Sequence, residues 1–121
     1  MIILPNADDA VILPDKFTKY ILHPVNSRGK HIAFERALGY NINNYDKLIC
    51  NILQNIKNYP VVEKPDKGHG KRYAIDMELT GENGKTARVV TAWIDDTRTG
   101  EMRLTSAYVK TRKDVNDVNN D

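Results

Sequence analysis

Arg28, Lys30 and His31 stand within four positions of one another, and Arg88, Thr91, Ser106 and Tyr108 follow far along the chain. Cations, hydroxyls and one imidazole make a set suited to metal-free acid–base work on a phosphodiester. Such chemistry needs a base for the ribose 2′-hydroxyl, donors for the charge that builds on the phosphorus oxygens, and an acid for the leaving 5′-oxygen. His31 is the best acid–base candidate, because imidazole is the side chain whose ordinary titration lies near neutrality. His31 also opens a predicted helix, whose positive end favours phosphate, and Lys30 sits beside it. Arg88 is expected to steady the phosphorane, while Thr91, Ser106 and Tyr108 position the substrate. Arg28, Arg72, Trp93 and Thr105 complete a substrate-binding set, with Trp93 offering a surface on which a base can stack.

The same inventory excludes other chemistries. The three histidines, His23, His31 and His69, lie at no metal-ligand spacing, and the single cysteine leaves neither a thiolate zinc site nor an intramolecular disulfide. No glycine-rich phosphate loop leads from a strand into a helix, so neither a metal nor a nucleotide cofactor is expected. Cys50 sits among Leu48, Ile49, Ile52 and Leu53 and reads as core. His23, before Pro24, and His69, between two glycines, read as turn residues, although His69 on a mobile loop is a second acid–base candidate.

These residues need a frame to hold them. At 121 residues, 40% hydrophobic and 28% charged, the chain is one ordinary globular domain. The net charge of +2 implies no particular partner. Setting aside the stretch 114–121, which holds three aspartates and no cation, leaves the body at about +5, a balance that tolerates a polyanion. No run approaches the ~18 apolar residues of a membrane-spanning helix, so an aqueous, reducing compartment is expected.

Pro14 and Asp15 suit the start of a short helix ending at His23-Pro24, and a second helix runs from His31 to Leu38 with Gly39 as its cap. A third, from Tyr45 to near Asn58, carries Tyr45, Leu48, Ile49, Ile52, Leu53 and Ile56 at 3.6-residue spacing. From Val61 the period becomes two. Strands are predicted at 60–64, 71–80, 85–95 and 102–111, with Gly81-Glu82-Asn83-Gly84 as a four-residue hairpin turn. The fold class is therefore α+β: N-terminal helices packed on a four-stranded antiparallel β-meander, spanning residues 1–112, with 113–121 a disordered polar tail. In the third strand Arg88, Val90, Ala92 and Ile94 read as the core row. Thr91 and Trp93, in the other row, read as the floor of a groove.

One resemblance goes beyond composition. Leu4-Pro5-Asn6-Ala7-Asp8 with Lys16 and Tyr20 comes first, then Gly29-Lys30-His31 leading to Ala37-Leu38-Gly39-Tyr40. Gly81 with Asn83-Gly84, Val90-Thr91-Ala92-Trp93 and Leu104-Thr105-Ser106-Ala107-Tyr108 follow. Together, over roughly residues 4–110, they resemble the C-terminal effector domains of bacterial polymorphic and contact-dependent inhibition toxins. The order of elements is similar to the barnase–EndoU–colicin–RelE group of metal-independent ribonucleases.

That resemblance implies a cleft lined by Lys30, His31, Thr91, Trp93, Ser106 and Tyr108, with Thr105 competing for the role of Ser106. It implies a monomeric toxin that cleaves RNA, with tRNA the expected substrate, leaving a 2′,3′-cyclic phosphate. It implies a cognate immunity protein as partner, and action in the bacterial cytoplasm after delivery from a secreted or cell-surface parent protein. No membrane contact is expected of the isolated domain. The alternative is a non-catalytic RNA-binding or protein-interaction module, such as an immunity protein.

Overall fold

The computed structural model describes residues 1–110. The predicted last strand residue, Thr111, and the predicted tail 113–121 lie outside the described residues. After a 3-10 turn at Ala7–Asp9, α1 (Pro14–Lys16) continues into a π-helical turn, Phe17–Ile21. Pro14 starts α1 where an amide donor is not needed, and Leu22 N–H reaches back to Phe17 O at 2.8 Å to close the wide turn. Helices α2 (Lys30–Leu38) and α3 (Tyr45–Asn55) follow, then β1 (Val61–Lys64), β2 (Arg72–Thr80), β3 (Thr86–Asp95) and β4 (Met102–Val109). The four strands form one antiparallel sheet in the order β1-β2-β3-β4, with all three helices before it in the chain. The α+β meander expected from the period change is thus the fold.

The helices cover one face of the sheet. Phe17 and Ile21, Phe34 and Leu38 of α2, and Leu48 and Ile52 of α3 are buried against Tyr73, Ile75, Met77 and Leu79 of β2 and their neighbours. Cys50 is not part of this core. It is exposed, because α3 buries Leu48, Ile52 and Ile56 at four-residue steps and Cys50 lies half a turn away.

The face of β3 is opposite to the one read from its sequence. Val89, Thr91 and Trp93 lie under the helices, fully buried, whereas Arg88 is exposed and Val90, Ala92 and Ile94 are half-buried on the outer face. One residue of loop length causes this. A four-residue turn ending at Gly84 would pair Thr80 with Lys85 and set Val90 beside Ile75. The actual loop includes Lys85, Gly81 N–H bonding Lys85 O, so Thr80 pairs with Thr86 and Ile75 with Thr91. A one-residue slip exchanges the two faces of a strand. The core accommodates the polar atoms it gains: Trp93 Nε1 donates to Thr91 Oγ1 at 2.8 Å, and Thr91 Oγ1 donates to Ile75 O at 3.2 Å.

Two glycines set the end of α2 and its approach to the sheet. Gly39, at φ 76°, ends α2, with its own N–H on Glu35 O and Tyr40 N–H on Phe34 O. Gly81 then passes so close to the last turn of α2 that a Cβ there would stand 2.0 Å from Leu38 O. Only glycine permits that packing.

Candidate functional site

Three stretches, two near one another in the chain and one far along it, meet at the β4 edge of the sheet and line a hollow of about 340 Å³. Lys16 and Tyr20 come from the α1 turn, Asn26 to Lys30 from the loop into α2, and Thr105 and Ser106 from β4. Arg28, at φ 56°, and Gly29, at φ 90°, are successive left-handed residues that swing the chain into α2.

Consecutive residues of a regular strand point to opposite faces, yet Thr105 and Ser106 both reach the hollow. A β-bulge explains it. Ala92 pairs with Ser106 and Trp93 with Leu104, so Thr105 is the extra residue and the local pleat is broken. Thr105 Oγ1 donates to Ala92 O at 3.2 Å, and Lys30 Nζ reaches Ser106 Oγ at 3.4 Å. Both hydroxyls suggested by the sequence therefore line the hollow.

The charge in the hollow is one-signed. Lys16, Arg28 and Lys30 line it together with hydroxyl groups, and no carboxylate does. Among the described residues none of these three cations has a carboxylate within 4 Å, whereas Arg88, Arg98, Arg103 and Lys110 all do. Lys16 lies over the Tyr20 ring, 5.8 Å from its centroid. The first amides of α2 are already engaged: Lys30 N–H bonds Ser27 O at 3.2 Å, His31 N–H bonds Ser27 Oγ at 3.2 Å and Ile32 N–H bonds Gly29 O at 3.1 Å. An anion here is met by side chains, because the amides at the helix end that the sequence suggested as a phosphate site are already taken up by Ser27 and Gly29.

His31 does not itself line this hollow. It borders a separate, smaller one of about 270 Å³ with Ile32, Glu35 and Arg36, and it is joined to the cationic hollow through Ser27, whose Oγ lies 2.7 Å from Nδ1. Ser27 is 4% exposed, lines the cationic hollow and is bonded to His31, so it links the two.

The remaining predicted site residues lie elsewhere. Thr91 and Trp93 are core, which removes them from any cleft. Arg88 lies on the outer sheet face, where Asp76 Oδ1 accepts from its Nε at 2.9 Å and Lys110 Nζ holds Asp76 Oδ2 at 3.1 Å. Tyr108 is exposed on that face opposite Val90, and Arg72 is at its far end opposite Ile94. The outer face adjoins the hollow at Ser106, which pairs with Ala92.

Lys16, Tyr20 and Ser27 were not singled out as site residues from the sequence. Ser27 lies two residues before Gly29, the N-cap of α2, and its step to His31 is not the spacing of a helix cap, so no sequence signal marked it. Nothing in the sequence placed Lys16 beside Lys30. His23 serves the turn as expected, its Nδ1 accepting Val25 N–H and Asn26 N–H at 3.1 Å each. His69 is outside the hollow, and its carbonyl accepts from Thr97 N–H and Oγ1.

A family described as "Domain of unknown function (DUF6883)" matches residues 3–111. The chain belongs to this family. The match takes in every residue of the hollow and the whole sheet, so the site lies inside the DUF6883 unit. No curated protein and no solved structure gives a match. Among the described residues of this DUF6883 chain, no cluster of metal-ligating side chains and no helix long and apolar enough to cross a membrane is found.

Proposed function

We propose that the chain is a metal-independent ribonuclease of the bacterial toxin type, working at the hollow between the α1 turn, the start of α2 and the bulge of β4. The observation that carries this reading is the convergence of Lys16, Arg28 and Lys30, without a carboxylate, on the hydroxyls of Ser27, Thr105 and Ser106. A phosphodiester supplies the charge this hollow lacks, and its oxygens accept what cations and hydroxyls donate. In the reaction, the ribose 2′-oxygen attacks the adjacent phosphorus while Lys30 and Arg28 hold the oxygens on which charge builds. Ser106 and Thr105 orient the phosphate, and Tyr108, exposed two residues beyond Ser106, offers a ring to a neighbouring base. The products are a 2′,3′-cyclic phosphate and a 5′-hydroxyl, with tRNA the substrate suggested by the toxin resemblance. The same reading gives the chain a cognate immunity protein, acidic where it meets the cations, and places its action in the cytoplasm of a target bacterium.

Titration with a 3′-nucleotide, followed by amide chemical shifts, tests the site. Shifts are expected at Arg28, Lys30, Thr105 and Ser106 and are reduced in Lys30→Ala. Shifts confined to the outer sheet face remove the hollow from the mechanism. Expression in bacteria tests the class: growth arrest relieved by His31→Ala is expected of the toxin, and harmless expression of the parent contradicts it. The non-catalytic alternative is an RNA-binding module using the same cations. It is marked by nucleotide binding at the hollow with RNA left intact.

A further inference from the structure

We propose that Ser27 is a proton relay between the hollow and His31, an inference that rests on the ribonuclease reading of that hollow. The geometry motivates it directly. Ser27 borders the hollow, His31 does not, and the two are joined by a 2.7 Å contact from Oγ to Nδ1. A base that cannot touch the substrate's hydroxyl takes its proton through whatever group touches both.

The direction of that hydrogen bond decides whether the relay works, and the surroundings of Ser27 decide the direction. Ser27 Oγ already accepts His31 N–H, at 3.2 Å, so one lone pair is in use. Its hydroxyl has one proton to give. If Nδ1 carried a hydrogen and donated, the Ser27 proton would need another acceptor. Among the described residues Ser27 Oγ has no hydrogen-bond partner other than His31, and the residue is 4% exposed. Donation from Ser27 O–H to Nδ1 satisfies every group at once. Neutral His31 is then the Nε2–H tautomer, with its basic lone pair aimed at Ser27.

The step balances in atoms and protons. The ribose 2′-O–H bond breaks as its proton passes to Ser27 Oγ, while the original Ser27 proton passes to Nδ1 and makes His31 an imidazolium. The 2′-oxygen forms its bond to phosphorus, the bond from phosphorus to the 5′-oxygen breaks, and the leaving oxygen takes a proton from the Lys30 ammonium. Water returns the imidazolium proton to Lys30, and Ser27 ends the cycle as a hydroxyl. Ser27 forms no bond to phosphorus in this scheme.

Accepting the His31 amide and relaying a proton can be separated. Asparagine offers a side-chain oxygen to the His31 N–H as serine does but has no hydroxyl proton to pass, so Ser27→Asn keeps an acceptor for that amide and removes the relay, whereas Ser27→Thr keeps both. The full chain and its Ser27→Asn, Ser27→Thr, His31→Ala and Ser27→Asn/His31→Ala variants are assayed on total RNA in EDTA, alongside the imidazole 15N shifts of the parent. Expected are a loss of 100-fold or more in Ser27→Asn, recovery in Ser27→Thr, and a double variant no slower than either single variant. The Nε2–H tautomer is expected in the parent. Cleavage by Ser27→Asn within a few-fold of the parent, or an Nδ1–H tautomer in the parent, overturns the relay and leaves the ribonuclease reading standing. No cleavage of RNA by the parent overturns both.

Discussion

Replacing Thr91 by valine tests the reversed face of β3, on which the exclusion of Thr91 and Trp93 from the cleft depends. The two side chains have nearly the same shape, so little packing changes, but the acceptor of the Trp93 indole is lost. Trp93 is 1% exposed and Thr91 0% exposed, so water cannot take its place. A buried donor left unpaired costs about 1–3 kcal/mol. For a chain of 121 residues the unfolding entropy is about 0.25 kcal/mol/K, which converts that cost into a fall in Tm of roughly 4–12 °C. Urea unfolding followed by far-ultraviolet circular dichroism measures it in every variant, and the fluorescence of Trp93, the only tryptophan, reports its burial in the parent and in Thr91→Val. The cycle is closed with Trp93→Phe: once the indole N–H is gone, the further cost of Thr91→Val should drop by about the same 1–3 kcal/mol. A Thr91→Val cost under about 0.5 kcal/mol, together with fluorescence typical of a hydrated indole, would refute the burial of this row and return Thr91 and Trp93 to a groove.

The other expectations bear on the frame around the site. Arg98 and then Arg103 hold the Asp96 carboxyl down, from 3.8 to about 2, so the unfolded chain takes up a proton first as pH falls. The contribution of Asp96 is complete above pH 3.8 and is lost as pH drops toward 2; melts across that window should show a shallower loss in Asp96→Asn than in the parent. Gly81→Ala puts a methyl group 2.0 Å from Leu38 O, and a loss of about 1–3 kcal/mol or more in denaturant unfolding is expected, since the obstacle is backbone. Arg88→Ala should leave RNA cleavage within about threefold of the parent and cost under about 1 kcal/mol, because Arg88 is tied to Asp76 on the exposed outer face. A hundredfold loss of cleavage in Arg88→Ala would move the chemistry to that face.

The architecture was legible because its signals are periodic. The 3.6-residue spacing from Tyr45 and the alternation from Tyr73 to Leu79 each name a face: β2 buries Tyr73, Ile75, Met77 and Leu79, and α3 buries Leu48 and Ile52 but leaves Leu53, named with them, exposed. The site was legible where it is local and, by residue type, at Thr105 and Ser106. Arg28, Lys30 and His31 are close in sequence, and the loop into α2 keeps them close in space. The face of β3 was misread because it depends on whether Lys85 belongs to the loop, and no periodicity within the strand carries that information. Lys16 and Tyr20 were missed for a related reason, since only packing of the α1 turn on the β4 edge brings them to Lys30. The bulge that turns both Thr105 and Ser106 to the hollow is likewise set by pairing with Ala92 and Trp93.

The most direct test of the ribonuclease reading is incubation of purified chain with total bacterial RNA in EDTA, followed by chemical identification of the new ends. Discrete cleavage leaving 2′,3′-cyclic phosphate and 5′-hydroxyl ends, reduced about 100-fold or more in Lys30→Ala, is the expected result. Intact RNA, cleavage that appears only when a divalent metal is added, or cleavage that Lys30→Ala leaves unchanged would contradict it.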